Sequence, residues 1–231
     1  MFKFVYYLAL IVLYPFYRFH FVGRENLPEG PCVLCANHTA NSDAVFLVLA
    51  NGPKWDIGII AKEELFRFKP FGAVLKWLGA FPVKRSASDM HAVKTGFSIL
   101  KAGRKLLIFP EGKRVKPGMK SEPKTGAALF AVRGRVPLVP VYIPEGRKLF
   151  RRNTVVIGKA YMPEVEGKPD QQQYQLLTAD LMERIMELKP KELQARSHLQ
   201  NALVTASASA GPFRWRRKTP RRTVHCTQRV L

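Results

Sequence analysis

Residues 31–50 read Pro31-Cys32-Val33-Leu34-Cys35-Ala36-Asn37-His38-Thr39-Ala40-Asn41-Ser42-Asp43, then Ala44-Val45-Phe46-Leu47-Val48-Leu49-Ala50. The run 31–36 is short and apolar and follows a turn-rich loop over 23–31, which reads as a strand buried on both faces. The run 43–50 is apolar again, longer, and opens on an acid, which reads as a helix. A strand, a turn and a helix therefore carry His38 to a strand end and Asp43 to a helix N-terminus. On one continuous helix, residues five apart lie about 140° away from each other and do not meet. The turn removes that obstacle, and the helix N-terminus stabilises the carboxylate. A carboxylate on one imidazole nitrogen fixes the tautomer and leaves the other nitrogen free as a base.

Outward from this stretch, strands are expected at 57–61, 80–84, 105–109, 137–143 and 154–157. Helical pieces are expected at 63–68 and 71–78, separated by Pro70, and at 124–132. Over 88–102, Met90, Val93, Phe97 and Leu100 share one helical face, and Gly103 closes the helix. Tyr174, Leu177, Leu181, Ile185 and Leu188 mark a last amphipathic helix. Strands alternating with helices predict an α/β fold with a mixed, largely parallel sheet flanked by helices. At 231 residues the chain is long enough for one domain with a sizeable core.

The two ends differ from this body. Residues 2–22 read FKFVYYLALIVLYPFYRFHFV, with no charge between Lys3 and Arg18. That is short for a perpendicular span, which needs roughly 20 apolar residues. Its aromatics suit the lipid headgroup boundary, and Pro15 is expected to kink or end a helix. Residues 1–22 are read as a membrane-anchoring helix lying in one leaflet, with a buried core helix as the alternative. No small-residue cleavage site follows, which argues against a signal peptide. The body is assigned to 23–194. Residues 195–231 form a basic tail without periodicity, read as disordered.

The net charge is +21, of which the tail supplies +8 and the rest +13. An anionic partner is implied: nucleic acid, anionic lipid or a phosphorylated substrate. Three cysteines are too few for a disulfide scaffold. Cys32 and Cys35 form a C-x-x-C without a second ligand pair and sit in an apolar run, so they read as buried strand residues of a reducing compartment.

Three further segments carry charge or shape at strand ends. Phe109-Pro110-Glu111-Gly112-Lys113-Arg114 ends a buried strand in a turn and a basic loop, where open α/β sheets bind ligands. Arg114 offers a fork suited to phosphate, although a solvated charged loop has the same composition. Gly79-Ala80-Phe81-Pro82-Val83-Lys84-Arg85 ends a strand in adjacent cations, and Val136-Pro137-Leu138-Val139-Pro140-Val141 is an apolar strand with no titratable group. His38 and Asp43 taken alone also fit a loop histidine and a capping aspartate. Ser42 lies between them without a nucleophile elbow, so a nucleophile supplied by the substrate is the consistent reading.

These four segments, in this order, resemble the glycerolipid acyltransferase family typified by bacterial 1-acyl-glycerol-3-phosphate acyltransferase, over about residues 20–190. His38 and Asp43 match its H-x-x-x-x-D pair, with Asn37 before it. Arg85 matches the basic residue of the second motif, Phe109, Pro110, Glu111, Gly112 and Arg114 match F-P-E-G-x-R, and Pro140 matches the fourth. Lys113 stands where threonine is usual and Val115 where serine is common, and the tail matches nothing in the family.

The resemblance implies acyl transfer from acyl-CoA or acyl-carrier protein to the sn-2 hydroxyl of 1-acyl-glycerol-3-phosphate, giving phosphatidic acid. Another lysophospholipid or glycerol-3-phosphate is the alternative acceptor. His38 and Asp43 are then catalytic. Arg85, Lys84, Glu111, Gly112, Arg114 and Pro140 bind or shape the acceptor, with Glu111 on an acceptor hydroxyl or orienting Arg114. The expected partners are membrane lipid, a lysophospholipid, an acyl thioester and its carrier protein, at the cytoplasmic face of a membrane. No metal, no tightly bound cofactor and no nucleic acid are expected. Two other classes fit the charge: a basic nucleic-acid-binding protein, against which stand the aromatic N-terminus and the absence of a recognised motif, and a non-catalytic lipid-binding module. Thioester consumption by the purified protein separates them.

Overall fold

Side chains alternate across β2 (Val33–Ala36), and the two sets enter different cores. Leu34 and Ala36 join one cluster with Phe46, Leu47 and Leu49 of α2 (Asp43–Asn51). Val33 and Cys35 join another with Ala127 and Phe130 of α5 (Gly126–Gly134) and Leu181 and Ile185 of α6 (Gln171–Glu187). This is the pattern of a strand covered on both faces, seen in a computed structural model that describes residues 2–54, 56–77, 79–83, 90–116, 119, 121–147, 149–165, 167 and 169–190. Lys84, Arg85 and the basic tail over 195–231 lie outside the described residues.

The remaining elements are α1 (Phe2–Tyr17), β1 (Phe19–Val22), β3 (Ile57–Lys62), α3 (Lys69–Trp77), β4 (Ala80–Val83), α4 (Met90–Lys101), β5 (Lys105–Ile108), β6 (Leu138–Tyr142) and β7 (Asn153–Ile157). The sheet order is β1-β7-β6-β2-β5-β3-β4. Strands β6, β2, β5, β3 and β4 are parallel, β7 runs antiparallel to β6, and β1 runs parallel to β7. The expected class, a mixed and largely parallel sheet flanked by helices, is the one observed. Cys35 is in register with Ile108 of β5 and Pro140 of β6, so the chain leaves all three strands at one edge of the sheet.

Several expected boundaries shift for physical reasons. The helix read over 1–22 stops at Tyr17, and 19–22 is an edge strand paired with β7. The break is made at Arg18, whose φ is 40°. The Asn153 side chain donates to the Tyr17 carbonyl, satisfying one of the free acceptors at the helix end. Pro15 does not end α1, which continues two residues beyond it. Pro70 lies in the first turn of α3, where a missing N–H costs no helical bond, instead of separating two helices. The piece before it is a 3-10 turn at Glu63–Phe66.

α1 is docked on one face only. Tyr6 is buried and donates to the Leu49 carbonyl, and Ala9, Leu10 and Leu13 pack against the α2 side of the core. Phe4, Tyr7, Leu8, Ile11 and Val12 are exposed. Among the described residues, no helix is long and apolar enough to cross a membrane. Cys32 and Cys35 are buried free thiols, and burial pushes the Cys32 pKa up to about 12 and that of Cys35 well above its usual range. Such protonated, enclosed thiols are poor redox groups.

Candidate active site

β2 ends at Ala36, and Asn37 fastens the chain before it turns. The buried Asn37 side chain donates to the Ile143 carbonyl and accepts from the Ile143 N–H, both at 2.8 Å. The ends of β2 and β6 are thereby locked together. His38 follows. Its Nδ1 lies 2.9 Å from Oδ2 of Asp43, and that oxygen also accepts the N–H groups of Thr39 (2.6 Å) and Ala40 (2.8 Å). The turn 39–42 thus wraps around the carboxylate that the first turn of α2 presents.

The loop after β5 holds His38 from the other side. Oε2 of Glu111 accepts the His38 backbone N–H at 2.7 Å, and the Val115 N–H donates to the His38 carbonyl at 2.8 Å. The imidazole stacks on the Phe109 ring, with centroids 4.1 Å apart and planes 19° from parallel. Backbone and ring are both fixed, while 13% of the side chain stays exposed. Gly112 turns this loop with φ of 62°, and a Cβ there would lie 3.1 Å from the Lys124 side chain. Both facts favour glycine.

The third wall comes from the segment after β6. Arg147 is 6% exposed, and its Nη1 lies 2.5 Å from Oδ1 of the fully buried Asp43. The contact is an ion pair without the alignment of a hydrogen bond. Its Nη2 donates to the Ser42 hydroxyl at 3.2 Å, and its guanidinium covers the Phe46 ring at 4.7 Å.

The electrostatics follow from these contacts. Burial alone would raise the Asp43 pKa. The His38 hydrogen bond, the Ala40 N–H, the Arg147 charge and the Thr39 N–H outweigh it, so the carboxyl sits below its ordinary value and stays ionised. Glu111 moves the other way: burial raises its pKa, and the His38 N–H offsets this only in part. With an ionised Asp43 on one ring nitrogen, the imidazole can accept and return a proton through the other.

The expected site residues divide accordingly. His38, Asp43, Glu111 and Gly112 come together. Glu111 meets the His38 backbone, which neither of its expected roles included. Arg114 is exposed on the same loop, one residue before the Val115 contact to His38. Pro140 is buried within β6, opposite Cys35 and against Gly158, so its place is in the sheet below the site. β4 ends at Val83, just before Lys84 and Arg85. Arg147 was missed. It lies 105 residues from Ser42, and no spacing or motif announces it.

Comparison with known proteins agrees with this architecture. The Acyltransferase family model matches residues 18–144, a stretch that contains His38, Asp43, Glu111 and Arg114. A 1-acyl-sn-glycerol-3-phosphate acyltransferase of Bacillus subtilis is 32% identical over 176 residues, covering 73% of this chain and 87% of the relative. The chloroplastic 1-acyl-sn-glycerol-3-phosphate acyltransferase BAT2 of Brassica napus is 34% identical over 137 residues, 58% of this chain and 39% of that longer protein. The crystal structure of the 1-acyl-sn-glycerophosphate (LPA) acyltransferase PlsC from Thermotoga maritima superposes with a TM-score of 0.59 at 25% identity, covering 81% of this chain and 78% of that one. A buried Asp–His pair at the end of a central parallel strand, within a matched domain and a shared fold, leads to one conclusion: this chain belongs to the acyltransferase family and is an O-acyltransferase.

Proposed function

We propose that the protein transfers a fatty acyl group from acyl-CoA or acyl-carrier protein to the sn-2 hydroxyl of 1-acyl-glycerol-3-phosphate. The observation that carries this reading is the His38 Nδ1–Asp43 contact, which leaves the second imidazole nitrogen as the base. The names of the relatives supply the acceptor class. His38 Nε2 takes the hydroxyl proton as the acceptor oxygen attacks the thioester carbonyl, and Asp43 stabilises the imidazolium. The tetrahedral intermediate expels the thiolate, which takes the proton back from His38. The products are phosphatidic acid and a free thiol, and the reaction as written uses neither metal nor cofactor. The Ser42 hydroxyl is engaged by Arg147, which supports a substrate nucleophile over an acyl-serine. Arg114, with Lys84 and Arg85, which follow β4 in the sequence, meets the acceptor phosphate.

The exposed apolar face of α1 supports attachment to one leaflet, on the side where thioester donors are made. Phe16 of α1 touches Phe150, so the exposed apolar surface continues from the helix onto the segment that carries Arg147. Arg18, Arg151 and Arg152 flank it and suit anionic headgroups. A thiol-release assay with both donors, against a panel of lysophospholipids and glycerol-3-phosphate, tests the reading. Turnover with lysophosphatidate is expected, and no thiol release with any acceptor would reject it.

A further inference from the structure

We infer that Arg147 is a positioning residue that holds Asp43 against His38 and, by sharing that carboxylate, sets the basicity of the His38 ring. This rests on the acyl-transfer reading above and adds to it a residue that no motif marks.

The two oxygens of Asp43 face different partners. Oδ2 is filled by His38 Nδ1 and two backbone N–H groups, while Oδ1 meets Arg147. Asp43 is wholly buried, so Oδ1 has no water to replace the guanidinium. Arg147 is itself enclosed. Ser42 holds one nitrogen, and the Phe46 ring lies under its plane. Ser42, Asp43 and Phe46 all belong to the start of α2, so Arg147 fastens the segment after β6 to the helix that carries the acid. A fork already engaged by a carboxylate and a hydroxyl is poorly placed to serve as an acceptor-phosphate ligand.

Asp43 faces His38 from α2 and Glu111 from the β5 loop, and Glu145, in the segment after β6, is close enough to act on Glu111. Lys113 and Arg114 lie exposed beyond Glu111, and the exposed Lys124 side chain lies beside Gly112. Arg147 is thus the enclosed cation among three carboxylates. Without it no enclosed cation offsets Asp43, and the carboxylate holds the imidazolium more firmly, which weakens a general base. With it, Asp43 still orients the ring but attracts the imidazolium less.

Two substitutions separate charge from shape. Arg147→Gln keeps an N–H donor and loses the charge, whereas Arg147→Lys keeps the charge. The full chain, labelled with ¹⁵N-histidine in detergent micelles, reports the His38 titration midpoint, with the resonance assigned by its loss in His38→Gln. In Arg147→Gln the midpoint is expected to rise by about one pH unit, and the acid limb of kcat/KM to rise with it. Its kcat at neutral pH should fall about 10–100-fold with KM for lysophosphatidate little changed. Arg147→Lys should keep the wild-type midpoint and most of kcat. An unmoved midpoint in Arg147→Gln overturns the inference, as does a raised KM with intact kcat, which would make Arg147 a phosphate ligand. If Arg147→Gln does not fold, a folded Arg147→Lys chain decides: a wild-type midpoint supports the inference, and a midpoint displaced by a full unit overturns it. The titration needs no turnover, so it decides this inference even if the wild-type chain transfers no acyl group, a result that counts against the proposed function alone.

Discussion

At the scale of single residues, His38 is fixed from three sides, by the Asp43 carboxylate, the Glu111 clamp on its N–H and the Phe109 ring. If His38 is the base, His38→Ala lowers kcat by about 10²–10⁴-fold, because the ring carries the proton transfer, and leaves the fold intact, because His38 belongs to neither apolar core. Circular dichroism and thiol release on the same sample check this, and a trapped acyl-enzyme would contradict it. Arg114→Ala is expected to raise KM for lysophosphatidate about 10–100-fold, with the thioester KM little moved, since one charge-assisted contact is lost. The opposite split would assign Arg114 to the donor. The pair His38–Asp43 was legible because a strand end and a helix start five residues apart leave few other geometries. Arg147 was not, since it reaches Asp43 through a loop far along the chain, and local spacing holds no record of such a contact.

At the scale of elements, the strands were legible where apolar runs ended in turn residues, as in 31–36 and 105–109. β1 was not, because FHFV continues the aromatic composition of α1 without a break. The turn is made by Arg18 in a left-handed conformation that arginine rarely adopts and that no glycine announces. Helix contacts show a similar limit. A Cβ on Gly96 of α4 would sit 2.5 Å from the Phe130 ring of α5, itself packed on Phe97. Gly96→Ala gains helix propensity of at most about 1 kcal/mol, but overpacking costs about 1–3 kcal/mol. The clash should win. Urea unfolding is expected to show a net loss of about 1–2 kcal/mol, and a stabilised variant would mean that α4 and α5 separate easily.

For the whole molecule, attachment to lipid weighs apolar area against charge. A large apolar side chain contributes roughly 1.5–3 kcal/mol when buried, whereas a surface cation adds about 1 kcal/mol near an anionic leaflet and is screened by salt. Phe4, Leu8 and Ile11 form one exposed stripe of α1, so attachment is expected to survive high salt. Changing all three to serine spares the docked face around Tyr6 and should leave binding that salt abolishes. Flotation with anionic vesicles at low and high salt decides this, and release of the unaltered protein by salt would show that charge alone holds it. The strand order has a further consequence, in the time a ribosome takes. β2 is the middle strand of the seven-stranded sheet, yet both its neighbours, β5 and β6, are encoded later, and β1 waits for β7. Translation at about 5–20 residues per second separates β2 from β6 by roughly 5–20 s. Throughout that interval the strand Val33–Ala36 lacks a complete set of partners, and the site at its end has no third wall. Nascent chains arrested before β6 should therefore be digested by protease from β2 onward, and chains released after α6, which covers one face of β2, should resist.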